Sequence, residues 1–501
     1  MSCAGRNFRF RVVVTKIVET LRPPPEGGAH LGHVFRGQNC FVLGTRSRTG
    51  MLRASGSVLA LLSLLVANCL GATSPNAWWD AVQSWKTSAT PPAFGHPMLA
   101  EFNIDPAYTN VNQGSYGSTP IKVRQATEQL VLTAEGNPDL WFRSNMTSTG
   151  NSVYINMLLE TRKELAKYIK APMNETNIVD NASHGINAVL RSVPAFLEKK
   201  GILYLDLAYG EVKAAMTYMA GTYPGEPASP SFQHPIVEVS TAKLGLDVAN
   251  PALLVPLVEE ALHYAGGTVG LCSFSHIVSI PAIILPIKEL AAACRKAGAL
   301  TLVDGAHAPG NLALDVPALG ADFYVGNGHK HLYTSRGVCV LWARAEAQQY
   351  LFPLVIDEGG VGTPFEKYFM YQGTTDDVTR YISLRAALAW REWLGEAAIV
   401  QYTHNLSEAA CAHLSEAWGG TRRFSSDVQA NMCNVELPCK ASCPAGFGYT
   451  LFHKYNYYMP VYGFGGSTWV RLTSTVYNDL SDFERIGRTV LAELKPAPEA
   501  A

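Results

Sequence analysis

The stretch TLVDGAHAPGNLALDVPALGADFYVGNGHKHLYTSRGVCVLW, residues 301–342, constrains this chain more than any other. Leu302 and Val303 end a short apolar run that reads as a buried parallel strand, and Asp304 stands at its end ahead of Gly305, Ala306 and His307. A second short run, Phe323–Val325, delivers Gly326-Asn327-Gly328-His329-Lys330, and a third, Val338–Trp342, follows Arg336-Gly337. An acid and a lysine therefore fall at the ends of neighbouring strands, where open α/β sheets place their ligands.

The surrounding pattern supports such a sheet. Asn177–Ser183 reads as a strand running into a helix that starts near Ser183; further strands are expected at Ile202–Leu207 and Thr268–Phe274, and helices over 250–265 and over Pro286–Ala297. This alternation predicts an α/β fold with a large, mostly parallel-sheet domain. Beyond Trp342 the pattern changes to helices over about 378–394 and on to Ala417, then to a mixed segment over 428–478, which predicts a smaller α+β C-terminal domain. The boundaries expected are a leader over 1–72, a linker or loose arm over 73–95, a large domain over 96–355 and a small domain over 356–495.

The chemistry explains why an acid and a lysine would be placed together. A lysine whose amine is partly desolvated has a lowered pKa and can form a Schiff base. Pyridoxal 5′-phosphate is such a partner, and it draws electrons best when a carboxylate keeps its ring nitrogen protonated. Lys330 suits the first task and Asp304 the second. Taken alone, Asp304 would read as a helix cap or turn former and Lys330 as a solvated side chain. Asp304 and His307 could also form a metal pair, but no Cys/His cluster completes such a site, and no metal is expected.

The run V-D-G-A-H-A-P-G followed by G-x-G-H-K-H resembles the class V aminotransferase family of fold-type I pyridoxal-phosphate enzymes, in its isopenicillin-N-epimerase-like and cysteine desulfhydrase-like branch. The resemblance spans roughly residues 100–490. It implies that Lys330 carries the cofactor, that Asp304 faces the pyridinium nitrogen, and that His307 bonds the ring O3′. Asn327 and His329 would touch the phosphate, as would Ala182 and Ser183 in Asn181-Ala182-Ser183, where the family carries N-A-T. Tyr209 would stack on the ring. Thr374, in Gly373-Thr374-Thr375-Asp376, matches the family's G-T-x-D and would reach the phosphate of a partner subunit, implying a homodimer. Trp469-Val470-Arg471 with Tyr477-Asn478 matches the family's carboxylate clamp and gives Arg471 that role, since a guanidinium fork fits a carboxylate. The glycine loop over 110–120 resembles the family's N-x-G-S-x-G loop and would carry Tyr116 beside the substrate, though on its residues alone it could be an ordinary glycine loop. Ser275-His276-Ile277-Val278-Ser279 matches the family's S-H-x-x-S, but Pro281 comes one place late.

The implied activity is chemistry at Cα or Cβ of an amino acid: a C–S lyase of the cysteine desulfhydrase kind, or an epimerase, with transamination or a non-catalytic scaffold as alternatives. Sulfur-transferring relatives need a mobile cysteine ahead of the carboxylate-binding arginine, and Leu451–Ser467 contains none. This favours a lyase or an epimerase over a desulfurase.

Composition sets the remaining bounds. The chain has 501 residues, 48% hydrophobic, which is ample for a large core, and a net charge of −1, which gives no electrostatic case for nucleic acid. The ten cysteines do not make a disulfide scaffold; Cys272, Cys294 and Cys339 read as buried thiols, and Cys433, Cys439 and Cys443 as structural. Met51-Leu52-Arg53, the apolar run Val58–Val66 and the small residues Gly71 and Ala72 have the form of a signal peptide, too short for a stable membrane span. The start is basic, so three readings stand: a secretory leader, an organellar leader, or a cytoplasmic protein whose leader is an artefact. Asn145, Asn174 and Asn405 begin sequons that permit the secretory route, and Asn181 begins one that the cofactor would cover.

Overall fold

The computed structural model describes residues 76–143, 151–196, 201–221, 234–356, 365–369, 375–439 and 443–494; the leader, Asn145 and Thr374 lie outside them. Ala77–Ser88 forms helix α1, inside the stretch expected as a linker or loose arm. It is ordered by burial: Trp78 and Val82 pack with Val123 and Leu130 of α2 (Ile121–Gly136) and Leu158 of α3 (Val153–Tyr168).

A central sheet follows, with β1 (Thr176–Val179), helix α4 (Ala182–Phe196), β2 (Gly201–Leu205), helix α5 (Gly210–Met219) and β3 (Ile236–Val239). Next come helix α6 (Pro251–Tyr264), β4 (Val269–Ser275), helix α7 (Ile287–Lys296), β5 (Leu300–Asp304), β6 (Phe323–Asn327) and β7 (Cys339–Ala343). The seven strands lie in the order β1-β7-β6-β5-β4-β2-β3. β3, β2, β4, β5 and β6 run parallel, and β7 pairs antiparallel with both β6 and β1. β4 and β6 are buried end to end and β5 from Thr301 onward, as continuous apolar runs require when helices cover both faces. Helix α7 shows how the covering works: Ile287, Leu290, Ala291 and Cys294 face the sheet, while Lys288, Glu289, Arg295 and Lys296 stay in water.

Beyond β7 the described chain includes helix α8 (Leu384–Leu394), helix α9 (Glu396–Ala417), β8 (Met432–Glu436), helix α10 (Phe447–Tyr455), β9 (Val461–Phe464), β10 (Ser467–Thr473) and helix α11 (Leu480–Leu494). β8, β10 and β9 form a three-stranded antiparallel sheet in that order. Helices α9 and α11 cover it, with Leu414, Val435, Leu472 and Phe483 in one core. Helix α8 packs instead against α1, α2 and α3, so Ala386, Ala387 and Trp390 share a core with the beginning of the described chain. A boundary drawn at residue 355 does not follow from linear order, because the apolar face of α8 is satisfied by N-terminal helices. Among the described residues no helix is long and apolar enough to cross a membrane.

Candidate active site

Strand register brings the chemistry together. Ser275 of β4 lies opposite Asp304 of β5, and Asp304 opposite Val325 of β6. Asn327 at the end of β6 and Val179 at the end of β1 both lie opposite Cys339. The C-terminal ends of β1, β4, β5 and β6 therefore share one edge, and a cavity of about 370 Å³ opens there. Asp304 and Lys330 line this one cavity, together with Ala182, Ser183, Tyr209, His307, Asn327, His329 and Tyr116. Of the expected site residues that are described, only Arg471 is not on its wall; Thr374 lies outside the described residues.

The cavity's electrostatics suit a carbonyl ligand. Burial and the charge of Arg471 lower the Lys330 ammonium to about 8, with Asp304 opposing them. Lys330 Nζ lies 3.3 Å from His307 Nε2. Burial raises the pKa of Asp304, while the Ala306 N–H donated to its Oδ1 at 3.0 Å and the nearby Lys330 pull it back. Burial, then the charge of Lys330, pushes His329 down to about 4 and His307 well below its ordinary value, so both imidazoles are neutral near pH 7. Their Nδ1 atoms are buried with no hydrogen-bond partner among the described residues. It follows that the rate at which cofactor-free protein takes up pyridoxal 5′-phosphate should rise with pH and be half-maximal about pH 8, where Lys330 loses its proton. Stopped-flow absorbance would check this; a flat profile from pH 7 to 9 contradicts it.

The N-terminus of α4 enters the cavity and is prepared for an anion by its free end and dipole. Side-chain bonds shape this helix start. Asn327 Oδ1 accepts from Ala182 N at 2.9 Å, and Asn181 Oδ1 accepts from His184 N at 2.8 Å. With Oδ1 so engaged, Asn327 braces the helix start and leaves its Nδ2 donor for an anion in the cavity. Ser183 Oγ donates to Glu211 Oε2 at 2.8 Å. Glu211 lines the cavity but was not legible in the sequence, because an acid in the first turn of a helix is the ordinary complement to the helix dipole. Asp180, just before this turn, is held down to about 2, first by the His184 side chain.

Arg471 stands on β10 opposite Asn434 of β8. Its Nη1 donates to Ser279 O (3.0 Å) and Ser279 Oγ (3.2 Å), and its Nη2 to Asn112 Oδ1 and Ser115 Oγ, both at 2.9 Å. All four acceptors are neutral, Nε is buried without a partner among the described residues, and burial lowers the guanidinium to about 10. Such a cation requires an anion. Ser115 and Ser279 also line the cavity, so Arg471 stands directly behind that wall.

The glycine loop makes the front wall. Gly117 has φ +67°, and a Cβ there would lie 1.7 Å from the His329 carbonyl oxygen. The glycine lets the loop close on the backbone carrying Lys330. Gln113 Nε2 donates to Lys330 O at 2.9 Å, and Arg336 Nη2 to Gly117 O at 2.9 Å. Asn112, Gln113 and Ser115 were not singled out from the sequence, since an Asn/Gln/Ser loop looks like any turn. Tyr116 is 73% exposed at the mouth.

The residues present fit pyridoxal phosphate: an amine that loses its proton near neutrality, an acid buried in the same cavity, two neutral imidazoles with unpartnered nitrogens, and a helix N-terminus for the phosphate.

A model of the family described as "Aminotransferase class-V" matches residues 250–442. The L-cysteine desulfhydrase-like protein lolT1 of Epichloe uncinata is 27% identical over 460 residues, covering 79% of this chain and 95% of that protein. The isopenicillin N epimerase of Amycolatopsis lactamdurans is 26% identical over 419 residues, covering 78% and 96%. Among solved structures, the apo cysteine desulfurase of Thermococcus onnurineus NA1 superposes with a TM-score of 0.65 at 18% identity, covering 81% of this chain and 99% of that one. That likeness shows the fold, the fold-type I α/β architecture with its smaller second sheet. With these matches and the motif from Asp304 to Lys330 folded into one cavity, the chain is similar to the class V aminotransferase family, whose model it matches over residues 250–442.

Proposed function

We propose that this protein is a pyridoxal-phosphate-dependent C–S lyase acting on a cysteine-type α-amino acid. The observation that carries the reading is the pairing of Lys330, whose amine loses its proton near pH 8, with Arg471, a buried cation bonded only to neutral acceptors, on either side of one cavity wall. When bound, the cofactor withdraws the electron pair left at Cα. Arg471 fixes the substrate carboxylate bidentately, exchanging neutral acceptors for an anion. Lys330 Nζ takes the Cα proton and can return it to a departing group. Asp304 would keep a proton on the ring nitrogen, and Tyr209 and His307 would hold the ring. Loss of the β-sulfur completes a lyase; return of the proton to the opposite face would make an epimerase.

The cysteines support release of sulfur rather than its transfer. Cys439 and Cys443 are bonded to each other, and Cys272, Cys294 and Cys339 are buried. Among the described residues none lines the cavity as a free thiol. The test is incubation of the holoenzyme with L-cysteine and its S-conjugates, scoring sulfide or thiol, pyruvate and chirality. Equal formation of pyruvate and thiol supports the lyase; a D-amino acid without pyruvate replaces it by the epimerase. A homodimer, with the segment at Thr374 reaching the neighbouring cavity, is part of this proposal. Asp304→Asn should lower kcat by roughly 10²-fold while the cofactor still binds; unchanged kcat would remove Asp304 from its role.

A further inference from the structure

The described cysteines sort into two kinds. Cys411 of α9 and Cys433 of β8 are cross-linked with Cα atoms 6.2 Å apart, and Cys439 and Cys443 with Cα atoms 5.3 Å apart. The other three, Cys272, Cys294 and Cys339, are thiols sealed in the core, where burial raises the pKa of Cys272 and Cys339. None of the described cysteines is an exposed free thiol. Reducing compartments keep surface and loop cysteines as thiols, and persistent structural disulfides belong to oxidising ones. An independent observation comes from the sequence: Met51-Leu52-Arg53, the apolar Val58–Val66, and Gly71-Ala72 form a signal-like leader.

We infer that this chain follows the secretory route and matures in an oxidising compartment, where Cys411–Cys433 and Cys439–Cys443 form as structural cross-links. Each bond forms by exchange with a donor protein's disulfide. One cysteine thiolate attacks the donor, the second displaces it, and the donor leaves as a dithiol carrying the two electrons and the two protons lost by the cysteines.

The buried bond has a structural purpose. Cys411 and Cys433 are both within 1% of full burial, in the core shared by α9, β8 and β10. Cys433 lies opposite Leu472, and the next pair in the register is Asn434 with Arg471. The cross-link therefore ties the long helix α9 to the strand beside the arginine, clamping the small sheet where Arg471 projects. The lysine, acid and helix N-terminus on the large sheet do not depend on it. The inference does not rest on which reaction the cavity performs.

The test expresses the full chain through a eukaryotic secretory route and alkylates it, denatured but unreduced, before peptide mapping. The result expected is secreted protein with linked peptides 411–433 and 439–443, and alkyl groups on Cys272, Cys294 and Cys339. Alkylation of Cys411 and Cys433 in secreted protein, or a chain left inside the cell with these thiols reduced, overturns the inference. A second measurement uses the Cys411→Ala/Cys433→Ala pair. Wild type should lose about 5 °C of Tm on reduction, and the double variant should start lower by a similar amount with a smaller response to reductant. A wild-type Tm indifferent to reductant also overturns it.

Discussion

Replacing Lys330 with alanine is expected to lower kcat by roughly 10³-fold or more and to abolish covalent attachment of the cofactor. The fold should survive. Lys330 Nζ has one short-range partner, His307 Nε2 at 3.3 Å, while the backbone of its loop is held independently by Gln113 at Lys330 O and by the close approach of Gly117 to His329. The shortened side chain also takes a charge out of the core, which removes a cost rather than adding one. Lys330→Arg separates charge from chemistry: it retains a cation but no amine that deprotonates near neutrality, and it should be as inactive as alanine. Added small primary amines should restore part of the activity of Lys330→Ala, because the missing function is a proton carrier of the right pKa. Kinetics, with Tm as the control for folding, check both variants. Activity within tenfold of wild type in Lys330→Ala contradicts the assignment.

The second large effect is at Arg471. Arg471→Lys should raise KM for an α-amino acid by roughly 10²-fold and lower kcat less, because the ammonium keeps charge but loses the two parallel donors that match a carboxylate. Arg471→Ala should be worse in two ways. It removes the clamp, and it leaves Asn112, Ser115 and Ser279 without the donor they share, an arrangement that costs stability in a fully buried setting. A substrate analogue lacking the carboxylate distinguishes binding from folding: it should react slowly and almost equally with wild type and Arg471→Lys. If the analogue suffers as much as the parent amino acid, Arg471 is structural and the substrate is held elsewhere.

Much of this site was legible in the sequence because its parts are local. Asp304 ends a run of residues that can only be buried strand, and the glycines around Asn327 mark a turn immediately before Lys330. Once both runs are strands of one parallel sheet, their ends share an edge without further information. Arg471 was visible for the same reason, as a charge alternating with apolar residues on a strand. What was not legible depended on partners far apart in the chain. The engagement of Asn327 by Ala182, the bond between Ser183 and Glu211, and the serine and asparagine cradle around Arg471 each join segments that sequence distance does not connect. Helix α1 was similarly hidden, and so was the packing of α8, itself a helix legible in the sequence. Only the pairing of Trp78 with the face of α8 that carries Ala386 and Ala387 shows that these distant segments build one core. Phe102 makes the same link, with its ring centroid 5.7 Å from that of Trp390 and 4.7 Å from that of Tyr477.

The central claim is that one amine, Nζ of Lys330, carries the cofactor in the cavity it shares with Asp304. Borohydride reduction of the holoenzyme followed by peptide mapping tests this most directly. The account predicts a single pyridoxyl group, on Lys330, with loss of visible absorbance in proportion to its incorporation. A pyridoxyl group on any other lysine at comparable yield, or a protein that binds no cofactor and shows none, would contradict it.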